Sequence, residues 1–393
     1  MAIEPHTASG SPRRIRLGMV GGGQGAFIGA VHRMAARLDD QYTLVAGALS
    51  SEPERALQSA LALHIAPDRS YADFREMARV EGQRPDGIDA VAIVTPNHLH
   101  APVANAFLDA GIHVLCDKPL TASLQDAVAL VEKVRTSGCL FALTHNYSGY
   151  PMVRQARAMV AAGELGDIRV VQAEYPQDWL STDLESTGHK QALWRVDPLK
   201  AGAGGSLGDI GTHAEHLARY ITGLELAEVC ADLRTFVPGR QLDDNAHVLM
   251  RYANGARGML WSSQVAPGNE NSLRVRVYGT RAGLEFRQEN PNQLWFTRLG
   301  EAPALITRGS NASVPLASHA TRTPAGHPEG YIEGFAQIYR DVAEQLHARW
   351  EGRSPDPLAA TVPTVEDGLQ GMRFVAAVVA SSRNAGRWTA LAG

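Results

Sequence analysis

The chain has 393 residues, more than one hydrophobic core usually supports, so two domains are expected. Hydrophobic residues make up 45% and charged residues 20%, the balance of a globular protein rather than a disordered or fibrous one. Its 37 Lys+Arg against 41 Asp+Glu leave a net charge of −4, with no basic field for nucleic acid or an anionic membrane surface.

The three cysteines, Cys116, Cys139 and Cys230, form no CxxC pair and suggest no disulfide framework, which fits a reducing cytoplasm. No apolar run is long enough to span a bilayer. Arg13-Arg14 invites comparison with a twin-arginine export signal, which needs an apolar segment and a small-residue cleavage site behind it. The following residues, Ile15 to Val20, read better as a first strand entering a glycine turn, with residues 1–12 a frayed tail. A cytoplasmic location is expected.

That strand runs at once into Gly21-Gly22-Gly23-Gln24-Gly25-Ala26 and a helix-like segment through Leu38. Gly21, Gly23 and Ala26 match G-x-G-x-x-(G/A), the dinucleotide fingerprint. Gly21 suits the tight turn, Gly23 the approach of backbone amides to a pyrophosphate, and small Ala26 close helix–strand packing. The helix N-terminus offers free N–H groups and a positive dipole end to phosphates. Gly21, Gly23, Gln24, Gly25 and Ala26 are therefore candidate cofactor contacts.

The second strand, 43–49, ends in Ser50-Ser51-Glu52-Pro53-Glu54-Arg55. NAD sites usually carry an acidic residue here for the ribose 2′-hydroxyl. Two serines with Arg55 one turn further suit a 2′-phosphate, so Ser50, Ser51 and Arg55 favour NADP over NAD. A serine capping the helix that Pro53 begins explains the same residues, and Glu52 remains an alternative ribose ligand.

A buried strand over 89–96 ends in Thr95-Pro96-Asn97-His98-Leu99-His100. The two histidines are spaced for a metal, but no cysteine or carboxylate cluster accompanies them. Pro96 and Asn97 are expected to shape a loop under a nicotinamide, with one histidine capping the next helix. Thr95, Pro96, Asn97 and His100 are taken as cofactor contacts. The apolar run 111–116 then delivers Asp117-Lys118-Pro119 to the carboxyl edge of the sheet, where ligands of open α/β sheets bind. Lys118 there is either a charge clamp or a proton-transfer group.

Together these stretches resemble the Gfo/Idh/MocA family of NAD(P)-dependent oxidoreductases. The carrying residues are Gly21 to Ala26, Val91 to Asn97, and Asp117-Lys118-Pro119 in place of the family's Glu-Lys-Pro. The aspartate is a departure, one methylene shorter. The resemblance implies cofactor contacts from Asp117 and Lys118, and chemistry carried by Lys118.

Beyond the last Rossmann strand, 140–144, come His145-Asn146-Tyr147, a helix over 151–162 and a strand over 169–175. A polar excursion follows with Gln177, Trp179, His189, Trp194 and Arg195; aromatic and hydrogen-bonding loops suit a sugar surface. The resemblance, in particular to sugar and glycoside dehydrogenases with a similar Gln-Asp-Trp stretch, makes Asn146, Tyr147, Gln177, Trp194 and Arg195 substrate contacts. A glycine-rich entry, 202–208, then leads into a helix to about residue 220. On that helix Asp209 and His213 are i, i+4 and share a face, which lets the carboxylate orient the imidazole. A dipole-stabilising aspartate and a locally satisfied histidine explain the pair equally well. The family's Asp-x-x-x-His at this place implies catalytic and substrate-binding roles beside Lys118. Adding His216 outlines a metal site without a fourth ligand region, and no metal is expected.

Strands are expected over 229–237, 246–252, 256–265, 273–278 and 284–286, then a long loop over 300–328 and helices over 330–349 and 365–383. The whole reads as α/β: an N-terminal Rossmann dinucleotide-binding domain over 13–145, and an α+β domain over 146–393. The second carries a large, mostly antiparallel open sheet and final helices able to pack back on the first. The resemblance implies a homodimer or homotetramer that oxidises a secondary hydroxyl of a sugar, glycoside or polyol such as a cyclitol. His213 would be general base, oriented by Asp209, and Lys118 would steady the alkoxide. Alternatives are an NAD-dependent glycosidase acting by transient oxidation and elimination, and a non-catalytic dinucleotide sensor.

Overall fold

The computed structural model describes residues 13–391, so the tail expected over 1–12 lies outside the described residues. β1 (Ile15–Gly21) is buried along almost its whole length, as a strand covered on both faces must be. α1 (Phe27–Leu38) turns the stripe Val31, His32, Ala35 and Ala36 inward. β2 (Tyr42–Ala48), α2 (Pro53–Ala62) and α3 (Phe74–Glu81) follow, with Asp73 accepting from the Arg75 amide as a cap. Next come β3 (Ala90–Val94), α4 (His100–Asp109), β4 (His113–Cys116), α5 (Leu124–Ser137, capped by Ser123) and β5 (Phe141–Leu143).

These five strands form a parallel sheet in the order β2-β1-β3-β4-β5. Between α2 and α3 the chain adds one isolated parallel bridge to the sheet, Ser70 to Gly47. The strand order reverses between β1 and β3. The glycine turn after β1 and the Thr95–Asn97 turn after β3 therefore open into one crevice at the carboxyl edge.

The second sheet begins after α6 (Pro151–Ala161) with β6 (Ile168–Pro176). The polar excursion holds two short helices, α7 (Lys190–Arg195) and α8 (Pro198–Ala201). A wide π-type turn (Leu207–Gly211) then enters α9 (Thr212–Thr222). β7 (Leu226–Arg234), β8 (Asn245–Tyr252), β9 (Arg257–Ser263), β10 (Arg274–Gly279) and β11 (Ala282–Arg287) come next. They are followed by β12 (Gln293–Arg298) and β13 (Ala304–Thr307). The remaining elements are α10 (Pro315–His319), α11 (Tyr331–Glu351), α12 (Val365–Arg383) and β14 (Thr389–Ala390).

The nine strands lie in the order β13-β12-β11-β10-β6-β9-β8-β7-β14. Every neighbouring pair is antiparallel except β6 with β9. The expected loop over 300–328 is corrected: it contains β13 and α10. β13 is four residues at the sheet margin and pairs only with β12, so tertiary pairing rather than local pattern makes it a strand. One sheet face packs on α6, α9 and α12; the other exposes Val170, Leu249, Met259, Tyr278 and Trp295, the outward half of the two-residue alternation.

The final helices join the lobes. Phe335, Ile338, Tyr339, Val342 and Leu346 of α11 share a core with Ile15, Leu17 and Met19 of β1. α12 gives Val365, Leu369 and Met372 to the first sheet's other core and Phe374, Val375 and Val378 to the second sheet's. Among the described residues no helix is long and apolar enough to cross a membrane.

Candidate active site

A cleft of ≈ 800 Å³ lies between the carboxyl edge of the first sheet and the second lobe, and Lys118 lines it. β4 ends at Cys116, and the chain turns through Asp117 into a cis Lys118–Pro119 peptide. Asp117 fixes this turn: its Oδ1 accepts from the Lys118 amide at 2.9 Å and from Thr144 Oγ1 at 3.1 Å. Lys118 Nζ crosses to the second lobe, where it donates to the Asp209 carbonyl at 2.6 Å and to Asp209 Oδ1 at 2.9 Å.

Asp209 serves two cations. Its Oδ2 accepts from Arg195 Nε at 3.1 Å and from Gln264 Nε2 at 2.9 Å. Burial opposes its ionisation, but Arg195 and Lys118 outweigh that and hold the carboxyl far below the usual range. Asp209 and His213 line the same cleft and are coupled by charge, while the hydrogen bonds of both carboxylate oxygens go to Lys118, Arg195 and Gln264. His213 lies in the first turn of α9, directly after the π-type turn that carries Asp209. Asp243, not singled out from sequence, secures that turn by accepting from the Gly205 amide at 2.7 Å and the Leu207 amide at 2.8 Å. Burial pushes its carboxyl up to about 6 despite those two bonds.

His213 also lines the cleft, with its ring 4.8 Å from Tyr147 and 5.5 Å from His145. Burial, then the neighbouring Lys118 and His145, lower its pKa well below the ordinary histidine value, with Asp209 pulling the other way; the imidazole is neutral at pH 7. His216 stacks face to face on His145 at 3.9 Å. Among the described residues no group of three or more His, Cys, Asp or Glu is arranged to hold a metal ion.

At the glycine turn Gly21, Gly22 and Gly25 take left-handed φ of 80°, 71° and 79°. A side chain on Gly23 would meet the Leu49 carbonyl at 2.5 Å, so this glycine is needed against the end of β2. The close helix–strand approach expected of Ala26 belongs instead to Gly29, whose Cβ would lie 2.4 Å from Gly22 Cα. Ala26 is the residue before α1, half-buried on the cleft wall, because the helix starts only at Phe27. No side chain caps α1, which leaves its first-turn amides available to an anion.

Gln24 and Gly25 are exposed on this turn. Arg55 donates to the Gln24 carbonyl at 3.3 Å, and Ser50 Oγ accepts from the Glu52 amide at 3.1 Å while Ser51 is exposed. Thr95, Pro96 and Asn97 line the cleft, and Asn97 Nδ2 also ties the polar excursion down through the Ala201 carbonyl at 2.9 Å. The cap and cofactor contact expected of the histidines here are corrected for His100. Its buried ring sits between the Pro119 carbonyl at 2.7 Å and the Thr95 carbonyl at 2.9 Å, and its neutral form, favoured by burial, donates to one of them.

On the opposite wall stand Asn146 and Tyr147, from a short turn after β5, with Gln177, Trp194 and Arg195. The Arg195 guanidinium sits 4.3 Å over the Trp194 ring. Sequence reasoning missed Tyr175, Asn271, Gln288, Tyr331 and Phe335, which line the same cleft. Tyr331 and Phe335 carried a faint signal as aromatics one turn apart at the start of a helix; Asn271 and Gln288 carried none.

Two family models match the chain: "Oxidoreductase family, NAD-binding Rossmann fold" over residues 15–145 and "GFO/IDH/MocA C-terminal domain" over 153–285. An oxidoreductase structure from Sinorhizobium meliloti is 54% identical and covers 96% of this chain and 99% of its own, with a TM-score of 0.87. An inositol dehydrogenase homolog from Azotobacter vinelandii, solved with NADH and myo-inositol, is 37% identical over 96% of this chain and 98% of that one, with a TM-score of 0.89. Levoglucosan dehydrogenase of Pseudarthrobacter phenanthrenivorans is 30% identical over 72% of this chain and 76% of its own.

Proposed function

The chain belongs to the Gfo/Idh/MocA oxidoreductases, and from that premise we propose that it is an NAD(P)-dependent dehydrogenase of a secondary hydroxyl on a sugar, glycoside or cyclitol. The observation that carries this reading is Lys118, anchored on Asp209 at 2.6 and 2.9 Å in a cleft that also holds a neutral His213. The myo-inositol and levoglucosan of the relatives above support a polyol substrate.

The cradle fits a dinucleotide. Left-handed glycines, an uncapped helix start and a strand-order reversal converge where a pyrophosphate needs unobstructed amides. Gly21 to Ala26 would hold the phosphates, and Thr95 to Asn97 with Asp117 would flank the nicotinamide end. A bound nicotinamide supplies the acceptor for the hydride. Ser50, Ser51 and Arg55 favour NADP, while Glu52, exposed at the same edge, is the NAD alternative.

In this mechanism His213 takes the substrate hydroxyl proton, which its depressed pKa permits because the ring is unprotonated at pH 7. The Lys118 ammonium faces the same oxygen and steadies the alkoxide as the carbon–oxygen double bond forms. Asp209 holds the lysine by two bonds while Arg195 and Gln264 hold Asp209. Tyr147, Asn146, Gln177, Trp194 and Arg195 would orient the remaining hydroxyls. The outward face of the second sheet, with Val170, Met259 and Trp295 uncovered, suits a homodimer or homotetramer.

The test is nicotinamide absorbance against monosaccharides, glycosides and inositols, with NAD and NADP in parallel. Reduction with one substrate class supports the reading. Silence across the panel with cofactor bound overturns it, and sugar release would then point to the oxidation–elimination glycosidase.

A further inference from the structure

We infer that Asn271 is a positioning residue, the hub that sets which way hydrogen bonds run along the substrate wall and so makes Tyr147 an acceptor for a substrate hydroxyl. The argument starts from Trp179, whose indole N–H can only donate. It lies 3.1 Å from a side-chain amide atom of Gln177, which must therefore be Oε1. Gln177 consequently turns Nε2 towards Asn271, 2.6 Å away, and the Asn271 atom receiving it must be Oδ1. Asn271 Nδ2 then faces Gln288, whose Oε1 accepts at 2.9 Å, leaving Gln288 Nε2 to donate to Tyr150 Oη at 3.3 Å. One indole proton thus removes the two-fold ambiguity from three consecutive amides.

The same hub decides the tyrosines. Tyr175 Oη lies 2.7 Å from Asn271 Oδ1, a contact between two oxygens that needs the Tyr175 proton. Tyr147 Oη lies 2.5 Å from Tyr175 Oη, and with the Tyr175 proton committed, Tyr147 must donate there. Asn271 Nδ2 points at Tyr147 Oη from 3.4 Å, as it would at an acceptor. What Tyr147 has left to offer the cleft, beside His213, is one lone pair. A substrate hydroxyl next to the reacting carbon satisfies it by donating, whereas an ether oxygen there has no proton to give and leaves two acceptors facing each other. Asn271 does this from the loop between β9 and β10, held by its own amide on Glu289 Oε1 at 3.0 Å.

The substrate half of this inference rests on the dehydrogenase reading; the bond directions do not. The first measurement is solvent exchange of the Trp179 indole proton by NMR in protein labelled at its six tryptophans, assigned with Trp179→Phe. In Asn271→Leu, Gln177 loses its partner and exchange should accelerate about ten-fold or more. In Asn271→Asp, which keeps the accepting oxygen, protection should persist. Unchanged exchange in Asn271→Leu overturns the hub.

The second measurement is kinetics with myo-inositol and its mono-O-methyl ethers. Asn271→Leu should raise the KM for myo-inositol about ten- to a hundred-fold, with kcat within about three-fold and cofactor affinity unchanged. It should also lose the wild-type rejection of one ether, and Asn271→Asp should recover part of the KM. Altered exchange with unaltered KM and ether rejection overturns the acceptor role of Tyr147. A wild-type enzyme that oxidises no polyol refutes the dehydrogenase reading and the acceptor role with it, while the indole exchange still decides the hub.

Discussion

On the side of the cleft proposed to hold the nucleotide, the groups on offer are main-chain amides, from Gly21 through the uncapped start of α1, all within one continuous stretch. Across the cleft they are side chains, drawn from β4, the turn after β5, the excursion after β6, the π-type turn and the loop before β10. A backbone cradle is shaped by where side chains are missing. The opposite wall instead depends on side chains that must meet within hydrogen-bond distance although Lys118 and Asp209 are 91 positions apart. The first kind of site survives in local pattern; the second exists only once the chain is packed.

The largest expected effect lies on the side-chain wall. Lys118→Ala should lower kcat about a thousand-fold while cofactor affinity stays within about three-fold, read by steady-state kinetics and a fluorescence titration with NAD and NADP. Retained turnover would break the division of labour between the two walls.

Acid should also separate the walls, because amides do not titrate in this range and buried imidazoles do. Burial, with neighbouring cations and imidazoles behind it, holds His145, His213 and His216 well below their ordinary value. Unfolding below pH 6.5 lets them take up protons that the fold refuses, so their stability contribution is complete above pH 6.5 and drains as pH falls towards their folded values. Burial lowers His32, His100 and His113 in the same sense, while Asp243, raised to about 6, and Glu215, also raised by burial, work in the opposite sense as two groups against six. The melting temperature should therefore decline from pH 7 towards pH 5, while cofactor affinity of the still-folded protein changes little over the same range. A flat melting profile would contradict the depression of the buried histidines as a group.

On the nucleotide side, Gly23→Val drives a side chain at the Leu49 carbonyl, 2.5 Å from the Cβ position, and at Ser59 Oγ, 3.0 Å away. Moving the turn aside should weaken the cofactor about ten- to a hundred-fold by calorimetry, with kcat at saturating cofactor held within about three-fold. A loss of kcat instead would mean that the turn also sets the reacting geometry. The smallest effect is expected at Arg55, which reaches the cradle only through the Gln24 carbonyl at 3.3 Å. Arg55→Ala should shift the NADP-to-NAD ratio of kcat/KM towards NAD by about two- to five-fold.

Much of the architecture is legible in the sequence. The alternation of buried strands with helices between residues 15 and 143 spells a parallel sheet, and the strand-rich stretch after residue 226 an antiparallel one. β13 was not legible, because four residues at a margin become a strand only when β12 is beside them. His100 shows the same limit: its sequence position suggested the cofactor, but its ring turned inward between the Pro119 and Thr95 carbonyls.

Sequence alone determined the glycine turn, the lysine at a strand end and the family they belong to, because each is written in neighbouring residues whose chemistry allows few alternatives. Tertiary structure decided that Asp209 accepts from Lys118, 91 positions away, and that the turn carrying Asp209 is anchored on Asp243, because neither contact is written in neighbouring letters. It also decided the direction of the hydrogen bonds through Asn271. An amide's polarity depends on which partners reach it, and those partners, Trp179 and Gln177 on one side and Gln288 on the other, converge only when the sheet is folded.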